Sequence, residues 1–165
     1  MEEIPTIGRN ALIDIIDHAA QVPAKIDTGA DSSAIWASNI HIDTDRHLHF
    51  TLFDKGSPFY SGQDIVTGDF TVAQVRNSNG QIQIRYRTQI TARIGGKRVK
   101  VLFNLSDRSQ NDFPILIGRR TLSGKFIVDV TVREHQSVSS QPQKTLREEL
   151  LKDPYEFHKK YHDTK

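Results

Sequence analysis

From residue 81 to residue 105 the chain alternates polar with apolar residues at the period of a β-strand. The apolar set runs Ile82, Ile84 and Tyr86, then Ile90, Ala92 and Ile94, then Val99, Val101, Phe103 and Leu105. A period of two places these side chains on one face of an extended chain, whereas a helix would scatter them around its circumference. Gly95-Gly96 interrupts the run and supplies the positive φ that a two-residue hairpin turn requires. Upstream, Asn77-Ser78-Asn79-Gly80 is a second hairpin signal between alternating segments. Further apolar or alternating runs at 11–16, 23–26, 47–53, 70–75, 114–117 and 126–130 read as strands, and 32–38 as a short turn or strand. Many short strands joined by Gly- and Asn-bearing turns predict an all-β fold, a sandwich or closed barrel.

The last thirty residues have a different character. Residues 136–143 (QSVSSQPQ) form a polar linker. Thr145 and Glu148 fit a capping box ahead of Leu146, Leu150 and Leu151. Asp153-Pro154 then ends that helix and starts another, with Asp153 as N-cap, Pro154 at the first helical position and Glu156 facing back. Phe157 and Tyr161 lie four apart, on one helical face. The expected organisation is a β domain over 1–135, a linker over 136–143 and a helical tail over 144–165. The tail's two short helices would pack on the β body or on a partner subunit.

With 165 residues, the chain has room for one core and an appended segment, but not for two full domains. It has no cysteine, which excludes disulfides and thiolate metal sites. The N-terminal stretch MEEIPTIGRN lacks the apolar segment of a signal peptide, and no run reaches the length of about 20 apolar residues that a membrane span needs. A cytoplasmic location is therefore expected, unless an export signal has been removed. Net charge is only +2, yet its distribution is uneven. Residues 1–72 carry eleven acids and four bases, while residues 76–108 carry eight bases and one acid, Asp107. Such a basic segment reads either as solvated strand faces or as a surface that attracts an acidic substrate. Nucleic acid is not expected as a partner, because no zinc-finger, helix-turn-helix or RNP-type pattern accompanies the bases.

The chemistry-bearing segment is Lys25-Ile26-Asp27-Thr28-Gly29-Ala30-Asp31. A carboxylate that activates water must project from a tight turn into a cleft. Gly29 allows that turn and leaves its N–H exposed. Thr28 can hydrogen-bond to neighbouring backbone and fix the loop. Two such carboxylates brought together cannot both ionise easily, so one keeps a proton and the other accepts one from water. Taken alone, Asp-Thr-Gly also occurs as an ordinary strand-ending turn. A second element, Ile115-Leu116-Ile117-Gly118-Arg119-Arg120-Thr121-Leu122, raises its significance, with Gly118 lying 91 residues after Asp27.

Both elements, in this order, resemble the retropepsins, aspartic peptidases built from two identical single-motif subunits. Over residues 7–130 the segments IGRNALIDI, PAKIDTGADSSAIWA, VRNSNG and RYRTQITARIGGKRVKV, and above all DRSQNDFPILIGRRTLSGKFIVD, are similar to a bacterial family often labelled "putative ATP-dependent zinc protease". Members of that family resemble retropepsins despite the label. The resemblance implies a closed acid-protease barrel, a homodimer and no cofactor or metal. It implies Asp27 as the catalytic carboxylate, Thr28 bracing paired loops across the dimer axis, and Gly29 and Ala30 completing the active-site loop. It also implies an ion pair between Asp31 and Arg119 that locks this loop to a short helix after Gly118. Asn77, Ser78, Asn79 and Gly80 would form the tip of a flap, or else an ordinary surface hairpin. The family's link to enzymes that add glutamates to proteins points to acidic or glutamylated peptides as substrate. Members commonly carry Lys or Arg directly after Asp-Thr-Gly-Ala and a His a few residues on. Asp31 and Trp36 stand there instead, which places substrate preference rather than chemistry in question.

Rival chemistries lack their signatures. No His-Glu-x-x-His occurs, and the pair His47/His49 is ordinarily a surface feature of a strand. Gly-x-Ser-x-Gly and phosphate-binding glycine loops are absent. The remaining alternative is a catalytically silent module of the same fold, used for binding or dimerisation.

Overall fold

The computed structural model describes residues 3–76, 79–134 and 151–162. The chain divides into two units, Met1–His135 and Gln136–Lys165.

In the first unit the strands are β1 (Thr6–Ile15), β2 (Ala19–Ile26), β3 (Ser33–Ile42), β4 (Leu48–Leu52), β5 (Ile65–Thr67), β6 (Phe70–Arg76), β7 (Ile82–Ile94), β8 (Lys97–Ser106), β9 (Ile115–Ile117) and β10 (Ile127–Arg133). One helical turn, α1 (Arg119–Leu122), separates β9 from β10. The strands run side by side in the order β1, β2, β9, β3, β8, β7, and β7 pairs back onto β1 through Asp14–Arg93 and Ile15–Ala92. That last pairing closes a six-stranded barrel, so the all-β closed-barrel expectation holds. Closure removes the open edges that a sheet of this size would otherwise expose. The interior is filled by alternate residues of every strand. Ile13, Ile15, Val22, Ile35, Ile94, Val101, Phe103, Ile115 and Ile117 are all essentially inaccessible to solvent.

The long alternating run folds as read. β7 and β8 pair in register from Tyr86–Leu105 to Ile94–Lys97, around the Gly95-Gly96 turn. β1 begins earlier than its apolar run. Its first residues pair with β10, and a Cβ on Gly8 would lie 2.4 Å from the Val132 carbonyl oxygen, so only glycine permits this approach. β3 also outruns its reading and continues to Ile42, pairing with β4, which in turn pairs with β5. This three-stranded extension contributes Leu48, Phe50, Leu52 and Phe53 to the core. Residues 56–62, which no strand reading covers, are anchored: the Phe59 ring lies 5.8 Å from that of Phe53, and the Tyr60 N–H donates to the Ser57 carbonyl.

β6 pairs with β7 from Phe70–Thr88 to Arg76–Ile82, and on the N-terminal side of Tyr86 β7 leaves β8 behind and pairs with β6 alone, from Ala73–Arg85 to Arg76–Ile82. The result is a two-stranded arm projecting from the barrel wall. Ile82 and Ile84 continue the core-facing side of β7 onto this arm, yet both are exposed.

In the second unit, α2 spans Pro154–His162, and the Glu156 N–H donates to the Asp153 carboxylate at 3.2 Å. That is the geometry of an N-cap, with proline at the first helical position. The linker at 136–143, the Thr145/Glu148 capping box and the side chains of Phe157 and Tyr161 lie outside the described residues. No helix among the described residues is long and apolar enough to cross a membrane.

Candidate active site

β2 delivers Asp27. Val22, Ala24 and Ile26 point into the core and bury the stem of the loop, while β9 runs parallel beside them from Ala24–Ile115 to Ile26–Ile117. The Asp27 N–H makes the last rung of this ladder, donating to the Ile117 carbonyl at 2.8 Å. The chain then turns. The Ala30 N–H closes back on the Asp27 carbonyl at 3.2 Å, and the Gly29 N–H donates to Asp27 Oδ1 at 3.0 Å. Lys25 Nζ stands 3.9 Å from the other carboxylate oxygen. The Asp27 side chain is 27% exposed, and Thr28 and Gly29 lie on the surface beside it. The carboxylate is thus fixed by its own loop and open to solvent.

β9 passes between the two strands that flank this loop, pairing with β2 on one side and β3 on the other. Gly118, which follows it, sits directly under the loop. A Cβ there would lie 2.4 Å from the Ser32 carbonyl oxygen and 2.9 Å from that of Ala30. α1 then bonds to the loop from below, with the Arg119 N–H donating to the Ala30 carbonyl at 2.7 Å and the Arg120 N–H to the Asp31 carbonyl at 3.1 Å. Arg119 Nη2 also reaches Asp31 Oδ1 at 2.5 Å. Its hydrogen bond and charge hold the Asp31 carboxyl below the ordinary aspartate range. Both side chains are more than half exposed, so water screens their attraction. The backbone bonds and the Gly118 contact, rather than the ion pair, are the stronger fastening between loop and helix.

A buried polar chain missed by the sequence reading supports this arrangement. Ser33 Oγ accepts the Gly118 N–H at 3.0 Å and shares a hydrogen bond with Thr121 Oγ1 at 2.9 Å. Asn104 Nδ2 donates to the Ser33 carbonyl at 3.1 Å, and its Oδ1 accepts from Arg87 Nε at 2.7 Å. Ser33, Asn104 and Thr121 are all buried. Buried polar atoms satisfied in sequence like this fix one geometry, because each broken link strands a partner away from water.

Asp27, Thr28, Gly29, Ala30, Asp31, Gly118 and Arg119 are therefore gathered at one place. Of the four proposed flap residues, Asn79 and the positive-φ Gly80 lie exposed at the arm's end, while Asn77 and Ser78 fall outside the described residues. Trp36, read as bearing on substrate preference, packs partly buried against the core. Beside Thr28, the side chains of Leu122, Phe126 and Val128 line an open groove of about 600 Å³. Among the described residues, no cluster of three or more histidine or acidic side chains could hold a metal ion.

The chain is similar to known proteins. The chain is 30% identical over 111 residues to a "Probable alpha-L-glutamate ligase" of Shewanella halifaxensis (strain HAW-EB4), covering 66% of this chain and 24% of that protein. A protein of the same name from Shewanella pealeana (strain ATCC 700345 / ANG-SQ1) is 29% identical over the same shares. The chain thus spans about a quarter of the length of these curated relatives. A crystal structure of a protein of unknown function from Legionella pneumophila subsp. pneumophila str. Philadelphia 1 shares the fold, with a TM-score of 0.61 and 24% identity over 79% of this chain and 96% of that one. The family model described as "Retropepsin-like aspartic endopeptidase RimB" matches residues 6–138, the whole barrel with Asp27 and Gly118 inside it, and the chain belongs to this RimB-like family.

Proposed function

We propose that the chain is one half of a homodimeric aspartic endopeptidase, in which Asp27 and the partner's Asp27 share the work on a single water molecule. One carboxylate is ionised and takes a proton from the water as its oxygen attacks the peptide carbonyl carbon. The other is protonated and gives its proton to the carbonyl oxygen. Collapse of the tetrahedral diol then breaks the C–N bond, with a proton passing to the leaving nitrogen. The observation that carries this reading is the Asp27 carboxylate, anchored by the Gly29 N–H, partly open to solvent, and present in the only Asp-Thr-Gly of the sequence. A single carboxylate cannot be acid and base at once, so a second copy must supply the other. The exposed apolar residues Ile127, Val130 and Val132 on β10, together with the groove beside Thr28, offer a surface for that copy.

Acidic, glutamate-rich peptides are the proposed substrate. The relatives' name associates this kind of domain with glutamate ligation, and the β7–β8 wall carries the basic residues Arg85, Arg87, Arg93, Lys97, Arg98 and Lys100. Incubating the purified chain with a diverse peptide library and with a poly-glutamate peptide at low salt tests both parts. Cleavage should fall by about a thousandfold or more in Asp27→Asn. Cleavage that survives this substitution refutes the catalytic assignment, and a poly-glutamate peptide left intact while other peptides are cut refutes the substrate class. A dimer that cleaves nothing supports the silent binding module instead.

A further inference from the structure

On the outside of the barrel wall, a pocket of about 140 Å³ lies between β7–β8 and α1. Its lining includes four cationic side chains and no acidic one: Arg87 from β7, Lys100 from β8, Arg120 from α1, and Lys125 just after it. None of the four is within ion-pair distance of a carboxylate among the described residues, in contrast to Arg119, which is paired with Asp31; Arg120 acts on Asp31 only through its charge at longer range. Arg87 is also pre-oriented, because its Nε is held by the buried Asn104 carboxamide. The floor of the pocket is the Ser33–Asn104–Thr121 network that supports Gly118.

Four like charges around one concavity repel each other, and the barrel wall limits how far they can separate. A multivalent anion seated among them would relieve that repulsion. It could accept hydrogen bonds from two guanidinium and two ammonium groups. We propose that this pocket is an oxyanion site, taking a phosphate or carboxylate group, and that its occupation ties the β7–β8 wall to α1 behind the Asp27 loop. The anion could be free in solution or be an acidic side chain of a bound polypeptide. The chemistry is the same, and the proposal stands whether or not the chain is a peptidase.

The test is thermal unfolding and calorimetric titration of the full chain with inorganic phosphate and, separately, with triglutamate, at ionic strength held constant with chloride. A bound anion should raise the melting temperature by roughly 5–10 °C at a hundredfold excess over Kd. Lys100→Met/Lys125→Met should weaken binding by about tenfold or more, since each substitution keeps the apolar stem and removes the charge. Arg120→Gln, at an exposed position, should weaken it in the same direction. Arg46→Gln/Lys55→Gln removes as much charge from exposed positions in the extension around β4 and should leave binding nearly unchanged. Binding of phosphate alone identifies a free anion as the occupant, and binding of triglutamate identifies a peptide side chain. Absence of binding by either probe, or an equal loss in the Arg46/Lys55 control, overturns the site.

Discussion

Gly118 has less freedom than any other residue of the candidate site. Its φ of −98° is open to any amino acid, so the demand for glycine here is one of space rather than backbone conformation. A methyl group would collide with the Ser32 carbonyl at 2.4 Å, and that carbonyl belongs to the loop presenting Asp27. Neither side can yield cheaply, because Gly118 is held by Ser33 and the loop by Arg119 and Arg120. Gly118→Ala is therefore expected to destabilise the barrel by roughly 2–3 kcal/mol in urea unfolding. Activity should fall further than the loss of folded protein explains. An unfolding free energy within about 0.5 kcal/mol of wild type would mean that the loop relaxes freely and does not depend on this contact. At this scale the sequence was legible where chemistry demanded a rare combination, as in Asp-Thr-Gly with a downstream Gly-Arg. It was mute about Ser33, Asn104 and Arg87. Serine and asparagine occur anywhere on a β surface, and the bond joining these two spans 71 residues of sequence, so no local pattern marks it.

Among the elements, β3 and β5, the neighbours of β4, were read least well, and the extension they form with β4 carries the most evident pH sensitivity. β7 and β8 could be read almost to the residue because alternation and a Gly-Gly turn agree. In the extension at 39–69 only β4 was read, at 47–53, since the strands there are short and part of their order comes from side-chain clamps. His49 is gripped from both sides, with Nε2 2.6 Å from Asp43 and Nδ1 2.7 Å from Asp64, and its ring stacks on His41. The two carboxylates raise the His49 pKa above 6.5 through hydrogen bonds first and charge second. Asp43 is lowered to about 2, chiefly by the His47 backbone N–H and then by His49. The signs follow. The His49 contribution is complete below 6.5 and is lost as pH rises through its elevated folded value, whereas the Asp43 contribution is complete above 3.8 and is lost as pH falls through about 2. The clamp is thus whole between these limits. Hydrogen-exchange protection factors of β4 and β5 amides should fall on the alkaline side in the wild type, while His49→Asn should be less protected at pH 6 and flat across the same range. Equal alkaline loss in both proteins would show that His49 does not govern these strands.

For the molecule as a whole, the question is whether one barrel suffices. The fold presents one partly exposed Asp27, and the proposed dyad would form only where two copies bring this loop together. This has a quantitative consequence independent of substrate. If wild type and Asp27→Asn subunits are mixed and allowed to exchange, dimers form at random and only those with two intact carboxylates cleave. Equal amounts should leave about one quarter of the activity of the same total concentration of wild type, well within the dimer-forming range. If each subunit worked alone, the mixture would keep one half. Dilution separates the two cases again. Below the dimer dissociation constant, the rate per milligram should fall in proportion to concentration for a shared site and stay constant for a self-sufficient one. The Asp27→Asn chain is a suitable poison for this experiment because it conserves size and shape at a position whose backbone, not its charge, holds the loop to Ile117. Linear loss of activity on mixing would leave the barrel in place and remove the dyad.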